Sequence, residues 1–258
     1  MLDMNAEAIL RMLKPEDKVL DIGGWYVPFW RADQVIDLLP YETRGCGGHM
    51  RCGLSQERFT RETWTVLDIS ENRPWPFADK AFDFVVCSHT LEDVRNPMQA
   101  CSEIIRIGKR GYIEVPSRML ESIDGLENPG YCGWYHHRWM VDIADNEIQF
   151  HFKPHSIHGS YRYHFPRSFL KRMGDAERMS WLFWDDHFQY REIVTISDAR
   201  VRQQMEAFVA AHGGHPRFRY WLDNLIERIR VAVRSPKRRA RKQKAAEFWA
   251  AIGDISSR

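Results

Sequence analysis

Three histidines and one arginine are the residues of this chain best suited to proton transfer and to orienting an acceptor. His89 follows the apolar run 82–88, and His136, His137 and Arg138 stand next to one another in an aromatic segment. Histidine titrates near neutral pH and can take a proton from a hydroxyl group, whereas a guanidinium can orient an anion. Adjacent side chains in a strand point to opposite faces, so at most one of His136 and His137 is expected to face a cleft.

A second group of residues predicts a nucleoside pocket. The apolar run 19–22 contains Asp21 and is followed by Gly23 and Gly24, and a second apolar run contains Asp37. Glycine has no Cβ, so the chain can turn sharply after the first strand and a ligand can approach the main chain. Asp37, at the carboxyl end of the neighbouring strand, could accept hydrogen bonds from both hydroxyls of a ribose.

The apolar runs and the turn residues between them predict the elements that position these side chains. Only nine residues, 25–33, lie between Gly24 and Gln34. A crossover with its helix needs about ten to twelve residues, so the first helix of the sheet is expected to be very short or absent. The predicted strands are residues 18–22, 34–38, 64–69, 82–88 and 111–116, and the predicted helices are residues 4–13 and 98–107.

The second half of the chain predicts an insertion followed by helices. Two alternating runs, 134–143 and 147–153, flank an Ala-Asp-Asn turn and predict a β-hairpin inserted into the sheet. Residues 166–173 then predict a helix, and 179–184 and 188–196 predict closing strands. Ser197 is expected to cap a helix that ends at Gly213-Gly214. A last amphipathic helix is predicted from Pro216 to a stop before Ser235.

Several of these motifs occur in an order that resembles class I S-adenosylmethionine-dependent methyltransferases, over roughly residues 15–120 and more weakly through the His-His-Arg-Trp segment. The motifs are residues 19–24, 35–38, 66–69, 75–77, 82–94 and 111–117. The resemblance implies an α/β, Rossmann-like sheet that is mostly parallel with one antiparallel strand, a β-hairpin insertion and a helical basic C-terminal extension. It also implies a methyltransferase domain at 1–196, with 119–165 as an inserted lid, and an extension at 197–258.

The resemblance implies S-adenosylmethionine as the cofactor and gives a role to each motif. Asp21, Gly23 and Gly24 would line its methionine end, Asp37 would hold the ribose, Asp68 and Ile69 would meet the adenine, and Ser88 and His89 would close the pocket beside the sulfonium. Trp25 and Leu38 are predicted to bind the cofactor with them. The sequence departs from the family pattern at Trp25 and Val27, which replace two glycines, and at Asp93, which replaces a common histidine.

Other cofactors and metals fit the sequence less well. The chain has no Gly-x-Gly-x-x-Gly opening a helix, no Tyr-x-x-x-Lys pair and no Walker lysine, so NAD and ATP are poor fits. Cys46, His49 and Cys52, with Cys132 or His136, could ligate a metal, but their spacing matches no standard zinc pattern. We therefore predict no metal, and a Gly-rich loop with free thiols instead.

Composition predicts a soluble, cytoplasmic protein. The 258 residues are 44% apolar and 28% charged, and no stretch approaches the roughly 20 apolar residues of a membrane span. The first residues include Asp3 and Glu7 and lack the apolar core of a signal peptide. Five cysteines, an odd number, indicate free thiols and not a disulfide framework.

Charge is distributed unevenly along the chain. Residues 217–258 contain twelve Lys and Arg against four Asp and Glu, a net charge of +8, which leaves 1–216 at −6. Residues 237–244 carry six positive charges in eight positions. Such a run can bind an anionic partner, either a membrane surface or a nucleic acid.

The sequence as a whole predicts an S-adenosylmethionine-dependent methyltransferase that acts on a small-molecule or carbohydrate-linked acceptor under the lid at 119–165. His89, His136, His137 and Arg138 are its candidate catalytic residues. Two alternatives are an RNA methyltransferase whose basic tail follows phosphates and a methyltransferase-like fold that only binds.

Overall fold

The computed structural model of this chain describes residues 1–45, 56–127, 130–213 and 216–233. Its main sheet has the strand order β3-β2-β1-β4-β5-β8, in which β8 is antiparallel to β5 and every other neighbour is parallel. This arrangement confirms the predicted mostly parallel sheet with one antiparallel strand. The six strands are β1 (Val19–Ile22), β2 (Gln34–Asp37), β3 (Trp64–Val66), β4 (Phe84–Ser88), β5 (Arg110–Pro116) and β8 (Met179–Asp185).

The strands of the main sheet are short apolar runs that are covered on both faces. All four residues of β1 are buried, as expected for a central parallel strand. One face packs against α2 (Pro97–Ile107), and the other packs against α1 (Asp3–Met12) through residues such as Ile9 and Tyr112. Helix α2 begins at Pro97 because Asn96 Oδ1 accepts a hydrogen bond from the backbone N–H of Gln99 at 3.1 Å.

The connection between β1 and β2 contains no helix, as the nine-residue spacing predicted. Residues 23–33, all of which the structure describes, form turns. Strand β3 is shorter than predicted and ends at Val66, because the Asp68 carboxylate accepts the backbone N–H of Ser70 at 2.9 Å and turns the chain away from the sheet.

The hairpin prediction is confirmed, but its position in the fold is different. Strands β6 (Trp139–Ala144) and β7 (Glu147–Phe152) pair through a turn at Asp145 and Asn146, whose φ angles of 50° and 61° suit a two-residue hairpin. They lie in a separate three-stranded sheet with β9 (Gln189–Glu192).

Two sequence predictions are corrected by this second sheet. The segment 188–196, expected to close the main sheet, instead supplies β9, which pairs in parallel with β7. The first hairpin strand begins at Trp139 and not at residue 134. The physical reason is that Trp139, Phe150 and Phe188 bury their apolar faces in the core on the α2 side of the main sheet, and this burial sets the second sheet on that face.

Short helical segments and two longer helices complete the described chain. The short segments are α3 (Arg118–Glu121), α4 (Asp175–Arg178) and 3₁₀ turns at Tyr41–Thr43, His155–His158 and Arg167–Arg172, the last of which lies where a helix was predicted over 166–173. Helix α5 (Asp198–Ala211) begins after Ser197, as predicted, and buries Met205 and Val209. Helix α6 (Arg217–Val233) follows. The basic run 237–244 lies outside the described residues. Among the helices described, none is long and apolar enough to cross a membrane.

Candidate functional site

The carboxyl ends of β1, β2 and β4 meet at one edge of the main sheet. Ile22 of β1 lies in register with Ile36 of β2 on one side and with Cys87 of β4 on the other. The residues that follow these three strands therefore emerge side by side, at the edge where open α/β sheets bind their ligands. Most of the predicted cofactor-binding residues lie in this group.

Asp21 is a buried carboxylate that holds the loop after β1. Its Oδ2 accepts the backbone N–H of Phe29 at 2.7 Å, so the side chain spans the base of the loop. Burial raises the pKa of Asp21 to about 7, although the Phe29 N–H opposes this effect. Gly24 lies directly against this carboxylate, and a Cβ at Gly24 would collide with it.

Gly23 makes the sharp turn that the sequence predicted. Its φ is +72°, a conformation that L side chains rarely adopt, and its N–H donates to the carbonyl of Ile36 at 2.8 Å. A Cβ here would collide with Thr90, whose hydroxyl donates to the carbonyl of Ile22 at 3.2 Å. Thr90 and the Asp21 carboxylate therefore pack directly against Gly23 and Gly24, and the turn has no room for a larger residue at either position.

Asp37 occupies the end of β2 and connects two turns. Its Oδ2 accepts the N–H of Trp25 at 3.0 Å, and its Oδ1 accepts the N–H of Leu39 at 2.9 Å. Burial raises the pKa of Asp37 to about 6, against the effect of hydrogen bonds from the N–H groups of Leu39, Trp25 and Leu38. A carboxylate has about four acceptor positions, so one is left for a ribose hydroxyl.

Trp25 and Leu38 lie beside this carboxylate. The indole N–H of Trp25 donates to Thr43 Oγ1 at 2.9 Å, so the ring lies against the segment after β2. Leu38 is half exposed at the rim. Asp68 is also near, because Leu67 donates its N–H to the carbonyl of Asp37 at 2.8 Å.

Asp68 and Ile69 have different environments, although they are adjacent. The Asp68 carboxylate pairs with the Arg95 guanidinium and accepts the N–H of Ser70. The Ile69 side chain is buried in the core on the α2 face. The side chain available to a nucleoside from this pair is therefore that of Asp68.

Ser88 ends β4, His89 follows it, and the two residues share a buried partner, Glu114. Ser88 Oγ donates to Glu114 Oε1 at 3.2 Å, and His89 Nε2 lies 3.3 Å from the same oxygen. Glu114 is fully buried at the end of β5, and hydrogen bonds from His89 and Tyr112 hold its pKa well below the usual range despite that burial.

His89 is a cation at neutral pH. Its Nδ1 lies 3.6 Å from Glu92 Oε1, so it has a carboxylate on each side. Burial lowers the pKa of His89, but Glu114 and Glu92 raise it further, to about 9. A histidine in this state donates hydrogen bonds and is a poor base at neutral pH.

His137 is the histidine that a carboxylate orients. Its Nδ1 donates to Glu121 Oε1 at 2.6 Å, and Glu121 Oε2 accepts from Lys153 Nζ at 2.9 Å. All three side chains are buried, and the Trp134 ring stacks on the imidazole at 4.9 Å. Gly133, with a φ of +62°, allows this packing, because a Cβ there would collide with Glu121.

The neighbouring charges shift the pKa values of both His137 and Glu121. Burial lowers the pKa of His137, but Glu121, Glu92 and Asp93 raise it above its ordinary value. Burial raises the pKa of Glu121, whereas His137 and Lys153 lower it below its usual range. The carboxylate therefore stays ionised and fixes the ring, with Nε2 directed away from Glu121.

His136 and His137 both approach Asp93, which corrects the expectation that they face opposite ways. Their Nε2 atoms lie 4.0 Å and 3.7 Å from the Asp93 carboxylate. The alternation rule does not apply because both residues precede β6 and have no strand conformation. One atom from each of the three side chains lies within 4.8 Å of the others, a spacing that could hold a metal ion.

Arg138 and Glu92 link the hairpin to the loop after β4. The backbone N–H of Arg138 donates to the carbonyl of Glu92 at 2.8 Å, and the Arg138 side chain is exposed. The Glu92 side chain is buried, and within the described residues its oxygens have no hydrogen-bond partner. Burial and the neighbouring Glu92 raise the pKa of Asp93.

Sequence analysis missed Glu121, Lys153 and Glu92 as residues of this site. Glu92 stood in a recognised motif, but Glu121 and Lys153 carry no signal of their own. Among the described residues, Cys87, Cys101 and Cys132 are buried free thiols. Cys46, His49 and Cys52 lie outside the described residues.

Comparison with known proteins supports the family resemblance. A family model described as a methyltransferase domain matches residues 52–113, about a quarter of the chain. No curated protein matches the chain.

Solved structures that match part of the chain include a SAM-dependent methyltransferase from Aquifex aeolicus (21% identity, 44% of this chain and 65% of that chain, TM-score 0.30). A possible histamine N-methyltransferase from Thermotoga maritima has 19% identity over 46% of this chain and 53% of its own, with a TM-score of 0.31. A methyltransferase from Mesorhizobium loti has 14% identity over 57% and 63%, with a TM-score of 0.33. The chain spans less than two thirds of each, and we draw no functional argument from scores this low.

The sheet order and the glycine turn have the arrangement that the sequence resemblance implied, and the methyltransferase-domain match covers residues 52–113; S-adenosylmethionine is the cofactor that this match implies. The residues of the pocket edge fit such a group. Gly23 turns the chain sharply after β1, and the Asp37 carboxylate beside this turn has an acceptor position left after three backbone N–H groups.

Proposed function

We propose that this protein transfers a methyl group from S-adenosylmethionine to a hydroxyl oxygen of a small-molecule or carbohydrate-linked acceptor. The bound cofactor supplies a methyl group on a sulfonium, whose leaving group is already activated. The protein then contributes mainly alignment, together with a base for the hydroxyl proton.

The observation that carries the proposal is the buried His137–Glu121 pair beside the cofactor edge. Glu121 accepts from Nδ1, so the neutral form of His137 presents the lone pair of Nε2. The acceptor oxygen takes the methyl group and His137 Nε2 takes the proton. Glu121 then stabilises the imidazolium that forms.

The segment from His89 to Asp93 connects the two halves of the proposed site. His89 lies next to Ser88 at the carboxyl end of β4, and both residues contact Glu114. Asp93, at the other end of the segment, faces His137. The Glu92 carbonyl accepts the N–H groups of Arg138 at 2.8 Å and of Trp139 at 3.1 Å, which ties the hairpin to this segment. These contacts support a pocket in which an acceptor lies between His89 and His137.

His137 is preferred over the other histidines as the base for a physical reason. Two carboxylates flank His89 and raise its pKa to about 9; carboxylates also raise the pKa of His137, which acts as a base only after it has lost its proton. Burial and the neighbouring His137 lower the pKa of His136, which keeps that ring neutral, but its one carboxylate neighbour is Asp93 at 4.0 Å. His137 alone combines burial with a short hydrogen bond to a carboxylate.

The proposal is tested with methyl-labelled S-adenosylmethionine and the small-molecule and glycan fractions of a cell extract. Wild-type protein is expected to label an acceptor, and His137→Gln to label it about 10²- to 10⁴-fold more slowly, the usual contribution of a general base. His155→Gln, at an exposed histidine in a 3₁₀ turn, is the matched control.

Three results would contradict the proposal. Equal labelling rates for His137→Gln and wild type would show that His137 is not the base. Label that is lost on ribonuclease treatment would favour an RNA acceptor. Binding of S-adenosylhomocysteine without transfer to any fraction would favour a binding module.

A further inference from the structure

Helix α6 packs on the rest of the protein with its polar side. Tyr220 OH donates to Asp124 Oδ2 at 3.0 Å, and Asn224 Nδ2 donates to the same oxygen at 3.2 Å. Asp223 accepts a hydrogen bond from Ser168 Oγ at 2.6 Å. The side of the helix that faces the protein is therefore hydrophilic.

The apolar side of α6 faces solvent. Phe218 is 72% exposed, Trp221 is 59% exposed and Ile229 is 57% exposed. At 100° per residue, the exposed large apolar residues of α6 all fall within one side of the helix and form a continuous stripe along it. The exposed large apolar residues of α6 are Phe218, Trp221, Leu222, Leu225, Ile226 and Ile229.

The neighbouring helix α5 shows the usual arrangement. It buries Met205 and Val209 and exposes polar residues. An apolar stripe the length of α6 is uncommon on the surface of a monomer and marks an interaction site. The orientation of α6 is set by specific hydrogen bonds to Asp124 and Ser168, which hold the stripe outward.

Positive charge borders the stripe. Arg217 and Arg230 are exposed and, at 100° per residue, lie on opposite sides of it. The sequence after the helix continues into 237–244, with six positive charges in eight positions. An apolar stripe between basic margins is the pattern of a helix that lies in the plane of a membrane interface.

Two other occupants match only part of this pattern. A two-fold dimer would bring the same residues of two copies together, including their arginines, and the segment 217–258 of each copy has a net charge of +8. A nucleic acid would match the charge, but its phosphates offer nothing to six large apolar side chains. An anionic lipid surface satisfies both features.

We propose that the apolar stripe of α6, with Arg217 and Arg230 beside it, binds the protein to the surface of an anionic lipid membrane. The stripe inserts at the boundary between headgroups and acyl chains, and the basic residues neutralise lipid charge. A helix of 17 residues is about 25 Å long and lies along the surface without spanning it.

Vesicle flotation of the full-length protein tests this proposal. The vesicles are phosphatidylcholine alone or phosphatidylcholine with phosphatidylserine. Wild type is expected to float only with the mixed vesicles, and the double variant Trp221→Glu/Leu225→Glu to lose at least about tenfold in partitioning. Gln203→Glu/Ala207→Glu adds the same two charges, at the same spacing, to exposed positions of α5 and is expected to float like wild type. Circular dichroism checks that both variants fold.

A second variant separates charge from apolar insertion. Replacing the six basic residues of 237–244 by Gln is expected to reduce flotation at physiological salt, because the attraction to anionic lipid is electrostatic. Absence of wild-type flotation with mixed vesicles would overturn the proposal, as would unchanged flotation of the α6 variant. Light scattering that shows a dimer in wild type and a monomer in the α6 variant would also overturn it. So would binding of both wild type and the α6 variant to RNA without flotation of wild type.

Discussion

His137 lies between two carboxylates of different character. Glu121 is buried, ionised and hydrogen-bonded to Lys153, whereas Asp93 faces the other ring nitrogen at 3.7 Å and its pKa is raised by burial. Glu121 orients the ring in the proposed reaction, and Asp93 marks the side of the ring that faces the acceptor. The chemistry of the site therefore depends on a residue without any motif of its own.

Replacing Glu121 by Gln is expected to lower the pKa of His137. The folded protein raises this pKa above the ordinary value of 6.5, chiefly through the Glu121 hydrogen bond against the effect of burial. The base form, and with it methyl transfer, should appear as pH rises through that elevated pKa. In Glu121→Gln the midpoint moves to lower pH, and a histidine NMR titration measures it directly. A midpoint unchanged by the substitution would mean that Glu121 does not control the ring.

Zinc is expected to inhibit methyl transfer. Asp93, His136 and His137 each present a ligand atom within 4.8 Å of the others, so Zn²⁺ would occupy the Nε2 lone pair that the base requires. In His136→Gln the zinc concentration for half-inhibition should rise about tenfold or more, because one ligand is lost. An initial-rate assay with added zinc measures this. Stimulation by zinc would contradict the role of His137 as the base.

The loop after β1 is the element on which the cofactor pocket depends. The Asp21 carboxylate accepts the N–H of Phe29, and the Asp37 carboxylate accepts the N–H of Trp25. Gly24 lies against the Asp21 carboxylate. No helix lies in the described residues between β1 and β2, so these contacts determine the shape of the turn.

A methyl group at Gly24 is expected to distort this loop. In Gly24→Ala the new Cβ collides with the Asp21 carboxylate, which must move and release the Phe29 N–H. The cost should be about 1 to 3 kcal/mol, with a thermal midpoint several degrees lower and weaker binding of S-adenosylhomocysteine. Gly174→Ala is the matched control, because its Cβ would make only an ordinary contact. Equal thermal midpoints for the two variants would contradict this account of the loop.

The sequence predicted the elements of the main sheet well and the second sheet only in part. Buried apolar runs and turn residues identify β1, β2, β4 and β5 because central parallel strands are apolar on both faces. The alternation over 134–138 resembled a strand, but pairing with β7 begins only at Trp139. The partner of β9 could not be predicted, because it depends on apolar faces meeting across the molecule.

The site residues also divide into those that the sequence predicts and those that it does not. Asp21, Gly23, Gly24 and Asp37 occupy consecutive strand ends, so their spacing in the chain already implies that they meet. Glu121 and Lys153 are 32 residues apart and meet His137 only through the fold of the insertion. The residues around each position in the sequence do not indicate such a contact.

The two surfaces to which we assign functions by proposal are built differently. The pocket edge is preorganised by buried carboxylates and backbone N–H groups. The outer face of α6 is an exposed apolar stripe, and the chain after it is strongly basic. Acidic residues dominate 1–216 and basic residues dominate 217–258, so a membrane-bound molecule would direct its acidic part away from anionic lipid.

The central claim is that this edge of the sheet binds S-adenosylmethionine for methyl transfer. Calorimetric titration of S-adenosylhomocysteine into wild type and Asp37→Ala tests it most directly, with Asp145→Asn at the exposed hairpin turn as the control. We expect wild type and the control to bind equally. The Asp37 variant should bind about 10- to 100-fold more weakly, because it loses charged hydrogen bonds to the ribose. No binding by wild type, or equal binding by Asp37→Ala, would contradict the account.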